Sequence, residues 1–199
     1  MTQPKTIIFI GPQGSGKGTQ IEKVKSALER QDAVRRIVDI QTGRRFRSLA
    51  AAGETFAENK VAATLDSGQL QSDFLTAVLW GQAMLNRLDP KSHLLIDGFP
   101  RTVAQIADLE DACTFFERGH IDIVNLDTPE EVVRARMESR AREDDTEESI
   151  EERLRWYREE TIPVVEYYRN RKGTAVHDID GTKDIEGVYA DIVASLTIG

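Results

Sequence analysis

Cysteine occurs once in the 199 residues, at Cys113, so the chain can form neither an internal disulfide nor a cysteine-rich zinc site. A free cysteine of this kind behaves as a small buried hydrophobe, and Cys113 reads as packing. Histidine occurs three times, at His93, His120 and His177, with no ligand partners at suitable spacing, and all three read as structural. No apolar run approaches the ~18 residues of a membrane span. The start of the chain, with Gln3, Pro4 and Lys5, lacks the architecture of a signal peptide. A cytoplasmic protein with no membrane partner is expected. Positive charge is in deficit, 26 Lys and Arg against 34 Asp and Glu for a net charge of −8. That balance argues against broad nucleic-acid affinity, which depends on neutralising phosphates. Any phosphorylated ligand must therefore meet a local basic focus. Arginine supplies one at Arg44, Arg45 and Arg47, and another at Arg134, Arg136, Arg140 and Arg142.

Residues 11 to 19 read Gly-Pro-Gln-Gly-Ser-Gly-Lys-Gly-Thr, directly after the apolar run Ile7 to Ile10. A glycine-rich turn between a strand and a helix points successive backbone N–H groups into one concavity, above the helix's positive end. Lys17 adds a mobile full charge. The pattern G-x-x-x-x-G-K-[ST] is met from Gly11 to Lys17, but Gly18 stands in the Ser/Thr place and Thr19 follows one residue late. Ile21, Val24 and Leu28 then recur at helical spacing. Four further apolar runs read as strands: 34–40, 93–96, 121–126 and 175–179. Strands alternating with helical pattern predict a parallel sheet covered on both faces, because parallel neighbours need a crossover. From about Thr42 to Leu70 the pattern is helical without a strand, and a core helix is expected from about Asp73 to Leu88. Asp145 with Glu148 reads as an N-cap pair opening a long helix that carries Ile150, Leu154, Tyr157, Val164 and Tyr168 and is kinked at Pro163. Trp80 and Trp156 fall on helical patterns and read as core or interface.

Asp97 ends the run Leu94-Leu95-Ile96, at the strand edge where parallel sheets bind ligands. It is placed to hold Mg²⁺ or its waters, and Arg101, four residues on, to grip a phosphate bidentately. Arg136 and Arg140 share a helix face, with Arg142 in the charged loop beyond and Arg153 on the next helix. Several arginines at one hinge suggest a clamp on transferring phosphate. A solvated face paired with Glu138, Glu143, Asp144 and Asp145 is the alternative.

Taken in order, these residues resemble the adenylate kinase family of nucleoside monophosphate kinases, almost end to end. Gly11 to Thr19 with Gln20 resembles the family's GxxGxGKGTQ loop, which accounts for Gly18 before the hydroxyl of Thr19. Thr42-Gly43 with Arg47 resembles the TGxxxR stretch, Gly68-Gln69-Leu70 the turn that closes the monophosphate segment, and Asp97 to Arg101 the DGFPR motif, with Gln105 following. Arg136, Arg140, Arg142, Asp144, Asp145 and Arg153 match the lid arginines, paired aspartates and next-helix arginine in order. The chain departs where Arg44 replaces the usual aspartate after Thr-Gly, and where Gln71-Ser72 replaces Val-Pro. Only Ala141 separates Arg140 from Arg142, which implies a very short lid without zinc.

The resemblance implies a P-loop kinase domain over 1–199, a three-layer α/β/α fold with a five-stranded parallel sheet. A helical NMP-binding segment would occupy about 42–71 and a short lid about 136–146. It implies reversible phosphoryl transfer from Mg-ATP to AMP, giving two ADP, by a monomer. ATP would be held by Gly14, Ser15, Gly16, Lys17, Gly18, Thr19, Arg136 and Arg140. AMP would be held by Thr42, Gly43, Arg47, Gln69, Leu70, Gly98, Arg101, Gln105, Arg142 and Arg153. Lys17, Asp97, Arg101, Arg140, Arg142 and Arg153 would carry catalysis, with Asp97 meeting Mg²⁺ through bound water and no direct protein ligand to the metal. The rivals are a UMP/CMP-type kinase, against which Thr42 and Gln105 favour adenine, and a nucleotide-binding regulator without turnover. If Gln105 does not read adenine, it is a surface helix residue.

Overall fold

A computed structural model of the chain describes residues 3–140, 142 and 144–198. Its strands are β1 (Thr6–Ile10), β2 (Ile37–Gln41), β3 (His93–Asp97), β4 (Ile121–Asp127) and β5 (Thr174–Asp180). They form one sheet in the order β2-β3-β1-β4-β5, with every neighbouring pair parallel. Side chains alternate across a strand. Ile8 and Ile10 of β1 therefore pack on the layer of α4 (Asp73–Arg87), α5 (Ala104–Phe115) and α8 (Ile162–Arg169). Ile7 and Phe9 pack on α1 (Lys17–Gln31) and α9 (Ile185–Leu196). Cover on both faces is why the central strands read as continuous apolar runs. Trp80 stacks on Phe99 in the first layer, ring centroids 4.4 Å apart, and Cys113 is buried in the same cluster, its thiol pKa pushed up to about 11 by burial. Among the described residues no helix is long and apolar enough to cross a membrane.

Two helical excursions leave the carboxyl edge of the sheet. Between β2 and α4 lie α2 (Thr42–Ala50) and α3 (Phe56–Asp66). After β4 come α6 (Glu130–Arg140) and α7 (Glu147–Trp156), whose Val133, Met137, Ile150 and Leu154 form a small core of their own.

Two local expectations are corrected and a third is refined. Strand β2 begins at Ile37 rather than residue 34, because Asp32 accepts from the Arg35 amide in a turn that leaves Val34 96% exposed. The cap of α7 is Thr146, which accepts from the Ser149 amide at 3.2 Å; Asp145 is drawn instead into ion pairs with two arginines. Pro163 falls in the first turn of α8, and the disturbance it imposes is taken up just before it by a π turn over Tyr157–Thr161, where the Ile162 amide donates to Tyr157 O. The histidines are held locally: His93 is buried and accepts from the Lys5 amide, while His177 and the exposed His120 flank Asp122.

Candidate active site

The loop between β1 and α1 reaches its helix through Gly16, whose φ of +97° only glycine adopts without strain. At Gly14 the reason is space as well, since a Cβ would lie 2.8 Å from Val133 O of α6. Lys17 opens α1 and folds back, its Nζ donating to Gly11 O at 2.7 Å and Pro12 O at 2.8 Å. Ser15 is buried beneath the loop, its hydroxyl 3.4 Å from the same ammonium. This packing desolvates the Lys17 ammonium and, against the opposing pull of Asp97, brings its pKa down to about 8, with Arg101 and Arg140 adding to the drop.

Parallel pairing sets Phe9 beside Asp97, so the end of β3 opens next to the phosphate loop. A cleft of about 570 Å³ runs along this edge. Gly14, Gly16, Lys17, Gly18 and Thr19 line one end, Gly43, Arg47, Gly98 and Arg101 the other, and Asp97 the floor. Arg136, Arg140 and Arg142 reach it from α6 and the loop beyond. A second, smaller recess adjoins the acceptor end and contains Thr42, Gln69, Leu70, Gln105 and Arg153. The predicted site residues other than Ser15 thus converge on two adjoining hollows from segments scattered over 140 positions of sequence. Ala141 and Glu143, in the predicted lid, lie outside the described residues.

Side chains hold one another across the acceptor end. Thr42 donates from Oγ1 to Asp97 O at 2.7 Å. Arg101 donates from Nε to Gly98 O at 3.1 Å, and burial, with the like charges of Arg153 and Arg47, lowers its pKa against the pull of Asp97. Gln105 is 3% exposed, which removes the surface-helix reading. Its Oε1 accepts from the Arg101 amide at 2.7 Å and its Nε2 donates to Asp73 Oδ1 at 2.6 Å. The Gln105 amide therefore fixes the Arg101 backbone while bordering the recess.

Arg140 and Arg153 form the pairs with Asp144 and Asp145 that the alternative predicts, but inside the protein rather than on a solvated face. Arg140 donates to both oxygens of Asp145, at 2.6 and 3.0 Å, and Arg153 to Asp145 at 2.5 Å and Asp144 at 2.9 Å. The Asp145 side chain is fully enclosed. Burial alone would raise its pKa, but the bonds and charges of Arg140 and Arg153 outweigh it and hold the carboxyl below the usual carboxylate range. Arg142 is exposed at the cleft mouth.

Of the residues at the site that escape sequence reading, three make contacts with predicted ones. Trp156 lines both hollows, Thr161 donates to Arg101 O at 2.9 Å, and Asp73 anchors Gln105. Only contacts between distant segments reveal them. Trp156 is core, as its helical spacing predicts, but it is also a wall of the cleft.

Comparison with known proteins agrees with this geometry. The model of the family described as adenylate kinase matches residues 9–173. Adenylate kinase 1 of Nostoc sp. is 38% identical over 190 residues, covering 96% of this chain and 97% of the relative. An adenylate kinase of Cyanothece sp. is 37% identical, covering 94% and 92%, and one of Archaeoglobus fulgidus is 32% identical, covering 96% and 97%. With this family model running from the end of β1 through β4 and both excursions, and a parallel sheet bearing a phosphate loop at its carboxyl edge, the chain belongs to the adenylate kinase family of nucleoside monophosphate kinases.

Proposed function

We propose that the protein transfers the terminal phosphoryl of Mg-ATP to AMP, reversibly, giving two ADP. The observation that carries this reading is one cleft with a phosphate loop and Lys17 at one end, Arg47 and Arg101 at the other, and three further arginines above. Phosphoryl transfer asks little covalent chemistry of the protein and much positioning and charge. A cleft walled by arginines, with phosphate cradles facing each other, supplies both.

In this reading the amides of Gly14 to Thr19 and the Lys17 ammonium bind the donor phosphates, with Thr19 adding a hydroxyl contact and Arg136 covering the donor adenine. Arg47 and Arg101 bind the acceptor phosphate, while Thr42, Gly43, Gln69, Leu70, Gly98 and Gln105 border the acceptor nucleoside. Arg140, Arg142 and Arg153 stabilise charge on the transferring group. No general base is required, because the attacking phosphate oxygen is already ionised. The 42–71 and 136–146 segments close to exclude water and reopen for release.

The residues at the floor suit Mg²⁺. The Asp97 carboxylate faces the cleft and takes no hydrogen bond from a described residue, and Mg²⁺ is commonly held through one carboxylate and retained waters. Asp97 would hold the ion's waters, and when bound with ATP the ion neutralises charge on the donor phosphates. We place the enzyme in the cytoplasm as a monomer.

A coupled assay of ADP formation with ATP, Mg²⁺ and each of AMP, UMP, CMP and GMP tests the reading. Turnover is expected with AMP and is expected to need Mg²⁺. Preference for UMP or CMP would overturn the acceptor assignment, and no turnover with any acceptor would overturn the enzyme.

A further inference from the structure

Trp156, the last residue of α7, lies where the acceptor end of the cleft meets the turn that closes the 42–71 segment. It is 6% exposed. An indole in such a place needs a partner for its N–H. It finds one in the backbone of that turn, donating from Nε1 to Gly68 O at 2.9 Å. On the other side its ring lies under Arg101, with the guanidinium carbon 5.0 Å from the ring centroid. Among the described residues no carboxylate forms an ion pair with Arg101, whose side chain donates to Gly98 O. The ring face, electron-rich, is therefore the close support for a partly desolvated cation.

The contact at Gly68 belongs to a wider docking of the segment's end onto α7. Arg153 donates from Nη2 to Leu65 O at 3.2 Å. Gly68, at φ +71°, presses so closely on α7 that a Cβ would come within 2.4 Å of Ser149 O. One turn beyond Trp156, the buried Thr161 holds the Arg101 carbonyl. The stretch 153–161 thus grips both Arg101 and the closing turn.

We infer that Trp156 is a positioning residue for the acceptor half of the site. Its ring face sets the orientation in which Arg101 meets the acceptor phosphate, and its indole N–H ties that orientation to the turn at Gly68. The inference rests on the reading of AMP as acceptor. The two functions of the side chain are separable: Trp156→Phe keeps an aromatic face and loses the N–H, whereas Trp156→Leu loses both.

Steady-state kinetics on both variants, with a fluorescence titration of Trp80→Phe, tests the role. Trp156→Phe is expected to raise the KM for AMP about fivefold through the lost hydrogen bond. Trp156→Leu is expected to raise it roughly tenfold or more as the cation loses its aromatic support. The KM for ATP should stay within twofold of wild type in both. In Trp80→Phe, Trp156 is the remaining tryptophan, and its emission should change on adding AMP alone. A merely structural tryptophan would lower thermal stability and disturb both substrates alike. Equal changes for ATP and AMP, or an unchanged AMP KM in folded Trp156→Leu, would overturn the role. If the wild type turns over no AMP while AMP still changes Trp156 emission, the kinase reading fails and the positioning role survives. Loss of both signals overturns both.

Discussion

The two ends of the cleft are built differently. The donor end is made of backbone: a glycine-rich loop, a helix N-terminus and one lysine that folds onto its own loop. The acceptor end is made of side chains that hold one another. Thr42 binds Asp97, Gln105 bridges the Arg101 amide and Asp73, and Trp156 supports Arg101 from another helix. A backbone cradle is specified within nine residues. A side-chain network must be assembled from segments that only the finished sheet brings together.

The difference predicts where single substitutions hurt most. Lys17 is the phosphate loop's one charged side chain, so Lys17→Met should lower kcat by roughly 10²- to 10³-fold, the scale for removing one preorganised charge donor. A loss below tenfold would show that the loop's backbone suffices. Because burial brings Lys17 to about 8, kcat/KM for ATP in the wild type should fall as pH rises through that value and the ammonium deprotonates. Lys17→Arg keeps its charge and should lack this alkaline limb, whatever its absolute rate. The same shift has a stability consequence of opposite sense. Between about 8 and the ordinary lysine value near 10.4, the unfolded chain binds more protons, so this group favours folding increasingly as pH rises.

The lid base gives the next largest effect. Asp145 neutralises Arg140 and Arg153 at once, and Asp145→Asn leaves two inward arginines short of charge. Breaking a buried pair of this kind costs about 3 kcal/mol, which for a chain of this size lowers Tm by about 10 °C. Since the native carboxyl is held below its unfolded value near 3.9, the stabilisation is complete above that value and disappears as pH falls through the lower, native one. Wild type and variant should therefore differ most in urea denaturation above about pH 5, and the difference should shrink as pH falls below the unfolded value near 3.9. Parallel curves across that range would mean the ion pairs contribute nothing net.

What could be read from sequence follows the same division. The phosphate loop and the alternation of strands with helices are local signals, and the sheet order confirms the fold they imply. Asp145 was misread because Asp-x-x-Glu is also a capping pattern. The bonds that decide its role come from Arg140 and Arg153, five and eight residues away. Gln105 and Trp156 lie further out of reach, their partners being 32 and 88 positions distant. The π turn before Pro163 was equally hidden, because sequence gives the proline's missing donor but not how the helix absorbs it.

Arg44 supplies the smallest effect and the sharpest check on the contrast between the two ends. It stands where the family usually has an aspartate and lines the cleft, yet its partner is Glu22 of α1, at 3.4 Å. Both side chains are largely exposed, at 63% and 49%. Exposed pairs of this kind contribute at most about 1 kcal/mol and are screened by salt. If the acceptor end works through side chains fixed by one another, a cation held so loosely adds little. Arg44→Ala should then change the KM for AMP by less than about threefold, and the change should vanish at 0.5 M salt, where screening is nearly complete. A tenfold rise that persists in salt would place Arg44 among the groups that grip the acceptor. An exposed arginine would then suffice there without partners to fix it, and mutual support would not be what distinguishes the acceptor end from the backbone cradle opposite.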